Sequence, residues 1–138
     1  MSRIRSKDTK AELIVRRFLH GNGYRYKLHD NKILGKPDIV IPKYETIIDV
    51  RGCFWHGHTN CKYGDAVAYH SSLYESRIKP AMERDKRNEK AWLERGYQVI
   101  IVWGRCQLED KKKYSEKRKE TLQTIQRRLI QIYEYSSH

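Results

Sequence analysis

The apolar positions change period several times along this chain, and each change marks an element. Thr9-Lys-Ala-Glu12 reads as a capping box, and Leu13, Ile14, Phe18 and Leu19 then recur with helical spacing until Gly21-Asn-Gly23 stops the helix. Tyr24, Tyr26 and Leu28 alternate with Arg25, Lys27 and His29, the pattern of a half-buried strand. After a turn at Gly35-Lys-Pro37 come Asp38-Ile-Val-Ile41 and then Tyr44 to Val50, two short apolar runs that predict a hairpin. Residues 72–95 are helical in pattern, with Ile78, Met82, Ala91, Trp92 and Leu93 facing inward, and with Pro80 either breaking the helix or marking a second start. Tyr97 to Trp103 predicts a buried strand, and from Lys111 a charged helix carries the stripe Leu122, Ile125, Leu129, Ile132 and Tyr133. The order α-β-β-β-α-β-α predicts one mixed α/β layered domain spanning residues 1–138, without repeats or linkers.

Charge narrows the partners. The 138 residues include 29 Lys and Arg against 17 Asp and Glu, a formal net charge of +12, together with ten Tyr, three Trp and two Phe. A basic surface concentrates polyanions, and aromatics stack on bases, so nucleic acid leads over a merely soluble basic surface. Three cysteines cannot form a fully paired disulfide set, and clustered Cys and His in such a chain read as metal-binding. The amino terminus lacks a signal-like apolar core, and no apolar run is long enough to span a bilayer. The expectation is a soluble cytoplasmic protein, associated with the nucleoid while acting on DNA and without a membrane partner.

Two constellations carry chemistry. Asp38 follows Pro37 at the start of one strand, and Asp49-Val-Arg51 ends the next with an acid and a base on one face, because side chains two apart point together. Pro-Asp followed by acid-x-base resembles the PD-(D/E)XK nucleases. Carboxylates such as Asp38 and Asp49 hold Mg²⁺ against a phosphodiester while the nearby cation orients water or stabilises charge. A solvated charged pair at a strand end accounts for the same residues.

The second constellation is Cys53-Phe-Trp-His56-Gly-His58-Thr-Asn-Cys61. Cys53, His58 and Cys61 are close enough in sequence to share one Zn²⁺, and Cys106, after the last strand, completes a tetrahedral Cys₃His set. Small buried thiols are the plainer alternative. A fully ligated ion leaves no open position and is structural, which frees His56 for chemistry and Phe54-Trp55 for stacking.

Together these segments resemble the very short patch repair (Vsr) family of DNA mismatch endonucleases over roughly residues 1–110. The resemblance rests on Met1-Ser-Arg-Ile-Arg-Ser-Lys-Asp-Thr9, Gly35-Lys-Pro-Asp38, Gly52-Cys-Phe-Trp-His-Gly-His58, Arg84-Asp85-Lys-Arg87 and Val99-Ile-Ile-Val-Trp103. It implies a restriction-endonuclease-like mixed sheet flanked by helices, a zinc-stabilised loop, and Mg²⁺-dependent nicking of one strand beside a T:G mismatch. Position by position, Asp38 matches the central metal-binding aspartate and His56 the catalytic histidine, a side chain type suited to general-base work near neutral pH. Glu12 matches an amino-terminal catalytic glutamate, and Asp85 an aspartate that reaches the active-site network through His56. Capping explains Glu12 equally, and a surface pair with Arg84 or Lys86 explains Asp85. Phe54 and Trp55 match aromatics that wedge beside the mismatch, where a mispaired step costs least to open, and Tyr74 falls where the family often carries a third intercalating tryptophan. Core packing over the loop is the alternative for the wedge pair. The zinc ligands map as Cys53, His58, Cys61 and Cys106.

The chain also departs from that family. Asp49 stands where an apolar residue is usual, and Arg51 where histidine or asparagine is common, so Asp49 is expected to add a metal ligand and Arg51 to contact the scissile phosphate. The segment from Asp65 to Tyr74 differs as well. Double-stranded DNA is the expected partner of a monomeric enzyme, and accessory mismatch-repair proteins stay open as further partners. The basic helix with Lys111 to Lys113 and Lys117-Arg-Lys119 either grips backbone phosphate or is a solvated face. Two other readings remain at this point: a Vsr-related restriction or homing-type enzyme cutting a matched site, and a non-catalytic zinc-stabilised DNA-binding module.

Overall fold

Alternation within the apolar runs builds a sheet that must be covered on both faces. In the computed structural model, which describes residues 9–59, 61–65, 71–109 and 114–136, four strands lie in the order β1-β2-β3-β4. They are β1 (Lys27–Leu28), β2 (Ile39–Ile41), β3 (Thr46–Arg51) and β4 (Gln98–Trp103), with β1–β2 and β2–β3 antiparallel and β3–β4 parallel. Ile39, Ile41, Ile48, Ile100 and Val102 face one core shared with helices α1 (Lys10–Gly21) and α5 (Tyr114–Ser136), which contribute Val15, Leu19, Ile125 and Leu129, while α2 (Lys62–Asp65) and α3 (Ser71–Leu73) are short helices between them in sequence. Val40 and Ile47, one residue out of phase, face Ile33 and Trp92 on the other side. The mixed sheet is therefore flanked by helices on both faces, the restriction-endonuclease-like arrangement.

The hairpin sets the site. β2 and β3 pair as Ile39↔Ile48, Val40↔Ile47 and Ile41↔Thr46, so Asp38 and Asp49 stand one step beyond the last pair and opposite one another. The turn that delivers Asp38 is pinned from the opposite face. Trp92, in helix α4 (Lys79–Glu94), donates its indole N–H to the Leu34 carbonyl at 2.7 Å.

Several expectations needed revision. The alternating segment from Tyr24 forms a strand only at Lys27–Leu28, because Tyr24 and Tyr26 pack against the core rather than entering the ladder. Pro80 neither breaks the helix nor starts a separate one: it sits in the first turn of α4, which follows a π-helical turn at Tyr74–Ile78 without interruption. Leu93 is exposed, since α4 turns Trp92 inward instead, and Tyr133 is exposed too, with its ring against Tyr44 at 5.7 Å. The amino-terminal motif up to Asp8, part of the Asp65–Tyr74 segment and the lysines 111–113 lie outside the described residues.

Candidate active site

Glu12 contributes to a cap through its backbone and to a buried polar cluster through its side chain. Its backbone N–H bonds the Thr9 hydroxyl at 3.2 Å, as the capping motif predicts, yet its side chain is buried on the core face at 2 % exposure. A buried carboxylate requires partners. Glu12 has Arg16 at 3.3 Å and His29 Nε2 at 3.2 Å. The Nδ1 of His29 faces Asp38 at 4.0 Å, and the Asp38 carboxylate accepts the Val50 N–H at 2.9 Å. Beyond Asp38 comes Asp49, which Arg51 Nε bonds at 2.9 Å. Arg51 Nε also lies 4.0 Å from Asp85, and Asp85 Oδ2 meets His56 Nδ1 at 2.6 Å. One chain of charged groups thus runs from Arg16 to His56, and it contains Glu12, Asp38, Asp49, Arg51, Asp85 and His56.

The electrostatics of this chain are unbalanced at its centre. Burial, reinforced by the neighbouring Asp49 and Glu12 carboxylates and only partly opposed by the Val50 N–H, pushes the Asp38 carboxyl up to about 8. Two acids facing one another with a third nearby form a place where a divalent cation replaces a proton. Glu12, His29 and Asp38 also offer ligand atoms within 4.8 Å of one another. His29 is the residue that sequence reasoning missed as part of the site. Its signals were weak ones: a histidine closing the alternating run, eight residues before Pro37. Its left-handed backbone, φ 47°, and its N–H bond to the Asp38 carbonyl at 3.0 Å appear only in three dimensions.

At the other end of the chain, residues 52–58 fold into tight turns, with the His56 N–H on the Gly52 carbonyl at 3.1 Å and the His58 N–H on the Cys53 carbonyl at 2.9 Å. Asp85 on the first imidazole nitrogen of His56 favours the tautomer with its proton there, which leaves Nε2 as an acceptor. Phe54 and Trp55 are half-buried and meet edge to face at 4.9 Å. Tyr74 is half-buried at the start of the π-helical turn. Gly57 has φ +64°, and a Cβ there would run into the Met82 side chain. Gly57→Ala is expected to destabilise the protein by about 1–3 kcal/mol, lowering the melting temperature by roughly 3–10 °C, which a thermal denaturation curve reads directly.

The same loop begins the Cys/His cluster. Cys53, His58, Cys61 and Cys106 place their ligand atoms within 4.8 Å of one another, with Cys106 Sγ 3.5 Å from His58 Nδ1. Tetrahedral ligation with bonds of about 2.0–2.3 Å demands edges of this size, and three sulfurs with one nitrogen suit zinc. Burial pushes the thiols of Cys53 and Cys106 up. Burial acts the same way on Cys61, but the backbone N–H groups of Gly64 and Tyr63 and the neighbouring thiols outweigh it and hold Cys61 below the ordinary thiol value. Burial also lowers His58, against the opposing pull of Asp65, and so favours the neutral ring that a metal needs. Cys106→Ser is expected to weaken metal retention about a hundredfold, taking the roughly 10–16 kcal/mol of a structural zinc site as shared among four ligands. Competition with a chromophoric chelator measures it.

The geometry agrees with the comparisons to known proteins. The family described as DNA mismatch endonuclease Vsr matches residues 1–62. The type II nicking enzyme V.NmeAIP of Neisseria meningitidis is 41% identical over 80% of this chain and 78% of its own length. The type II nicking enzyme V.XorIIP of Xanthomonas oryzae is 40% identical over 80% and 79%. The DNA mismatch endonuclease Vsr of Escherichia coli is 32% identical over 84% and 73%. A mixed sheet that converges acids on one hairpin end, a Cys/His loop beside it and these relatives lead to one conclusion: the chain belongs to the Vsr family and is a DNA endonuclease.

Proposed function

We propose that this protein is a Mg²⁺-dependent endonuclease that nicks one strand beside a T:G mismatch, as in very short patch repair. The observation that carries the reading is the charged chain linking Glu12, His29, Asp38, Asp49, Arg51, Asp85 and His56. Asp38 and Asp49 would hold Mg²⁺, which would supply Lewis-acid stabilisation of charge building on the phosphate and the leaving oxygen. His56 takes the proton of the attacking water at Nε2 while Asp85 holds its other nitrogen. Glu12, through His29, keeps Asp38 in place. Arg51, whose Nη2 has no partner among the described residues, would place its guanidinium toward the scissile phosphate. As oxygen is added to phosphorus, the bond to the leaving sugar oxygen breaks.

The choice of a mismatch rests on placement. Phe54 and Trp55 stand immediately before His56, so a wedge inserted by them opens the stack next to the water-activating group. Tyr74 supports the opened step from the helix. Cys53, His58, Cys61 and Cys106 would hold Zn²⁺ as a structural site, which would keep that loop rigid. Backbone phosphates are gripped by the cleft face of α1, lined by Leu13, Arg16, Arg17, His20, Gly21 and Tyr26, and by the basic start of α5. The enzyme acts as a monomer on cytoplasmic double-stranded DNA, since one active site suffices for a nick.

The test is nicking of a labelled duplex with a single T:G mismatch beside its T:A control, with and without Mg²⁺. Cutting of the thymine strand only in the mismatched duplex supports the proposal. Equal cutting of both duplexes moves the enzyme to the restriction or homing class, and binding with no cut under any divalent metal leaves a DNA-binding module.

A further inference from the structure

The parallel pairing of β3 and β4 puts Arg51 directly beside Trp103. The Trp103 ring carries two neighbours of different kinds. His58 stacks on it with centroids 4.1 Å apart and planes within 9° of parallel, and the Arg51 guanidinium lies 5.8 Å from its centroid. Trp103 is also held along the chain, where its backbone N–H bonds the Gln107 side chain at 2.8 Å. Three residues on, Cys106 approaches His58 at 3.5 Å. The indole therefore has the Cys/His cluster on one hand and the charged chain on the other.

Arg51 needs such a neighbour. It is 8 % exposed, tied at Nε to Asp49, and carries a buried Nη2 with no partner among the described residues. A planar guanidinium is defined by its bonds and by the surface it lies against, and the negative face of an indole favours a cation beside it. Without the ring, the side chain is free to swing and pair Nη2 with Asp85 or water.

We propose that Trp103 is a positioning residue: it transmits the geometry of the Cys/His cluster to the active site by holding the Arg51 guanidinium against its ring while His58 holds the ring. The cluster then serves the reaction as well as the fold. This rests on the assignment of Arg51 to the scissile phosphate.

The experiment uses the full chain with Trp103→Leu and Trp103→Phe. It compares single-turnover nicking, DNA affinity, bound metal per chain, and the Arg51 Nε–H resonance, identified as the signal absent from Arg51→Lys. Trp103→Leu is expected to keep its cluster metal and its DNA affinity within about threefold while nicking falls about tenfold, and Trp103→Phe restores most of the rate. The Arg51 resonance shifts in Trp103→Leu, shifts likewise in the wild type when the cluster metal is chelated, and shifts no further on chelating Trp103→Leu. An unmoved resonance with a wild-type rate overturns the proposal, and so does loss of cluster metal in Trp103→Leu, which would make the indole simple packing. Should the leucine variant not fold, Trp103→Phe decides: an intermediate shift upholds the coupling and an unmoved one overturns it. A wild-type protein that cuts nothing defeats the functional reading, while the resonance still tests the coupling.

Discussion

Asp38→Ala is expected to reduce Mg²⁺-dependent nicking by about 10³-fold or more, since it removes a carboxylate proposed to hold the cation and with it several kcal/mol of charge stabilisation. The linkage is more diagnostic than the loss. Burial together with Asp49 and Glu12 pushes the Asp38 carboxyl up to about 8, so below that pH the metal-free site holds a proton that a cation must displace. Apparent Mg²⁺ affinity should therefore rise about tenfold per pH unit up to roughly pH 8 and level off above it. The sign for stability is the opposite. A raised folded-state value means that the contribution is fully present below the ordinary carboxylate range, near pH 4, and is lost as pH rises through about 8. The metal-free protein should become less stable across that window, and Asp38→Asn should remove that part of the slope. Calorimetric Mg²⁺ titrations and thermal melts at several pH values check both.

His56→Ala is expected to lower the single-turnover rate by about 10²–10⁴-fold, the range of general-base catalysis, with DNA affinity nearly unchanged because His56 is not an anchoring group. The bond to Asp85 at 2.6 Å is short and charge-assisted when the ring is protonated. Asp85→Asn should therefore slow nicking by about tenfold to a hundredfold through a misplaced ring and the wrong tautomer. Added imidazole should restore part of the His56→Ala rate and none of the Asp38→Ala rate. Equal restoration of both would show that neither assignment is specific.

Much of the candidate site's arrangement was legible because hairpin physics acts locally. Two apolar runs around the 42–45 turn predict an antiparallel pair, and in the register found, Ile39↔Ile48, that pair sets Asp38 opposite Asp49. Spacing alone grouped Cys53, His58 and Cys61, and elimination added Cys106. What escaped reading depends on long-range packing. His29 joins Glu12 to Asp38 only because β1 is short and the chain turns through a left-handed residue just after it. Glu12 was readable as a cap, but its burial on the core face has no local signature. Trp92 and Leu93 were both assigned inward from period alone; Trp92 takes the core position and Leu93 is exposed. The stacking of His58 on Trp103 joins residues 45 positions apart, and no periodicity encodes it.

The π-helical turn at Tyr74–Ile78 lies just ahead of the helix that carries Asp85. Such turns insert an extra residue into a helix and often occur at working sites. Here it runs without a break into α4, where Asp85, seven residues beyond Ile78, bonds His56. The loop, the helix and the hairpin thus meet at one point although they are far apart in sequence.

Asp38 and His56 are proposed to belong to one reaction centre, and the single-turnover rates of wild type, Asp38→Ala, His56→Ala and the double variant on the T:G duplex decide whether they do. Residues that act as a unit are non-additive, so the double variant is expected to be no slower than the slower single one. Multiplying losses, or single variants that nick at the wild-type rate, would contradict it.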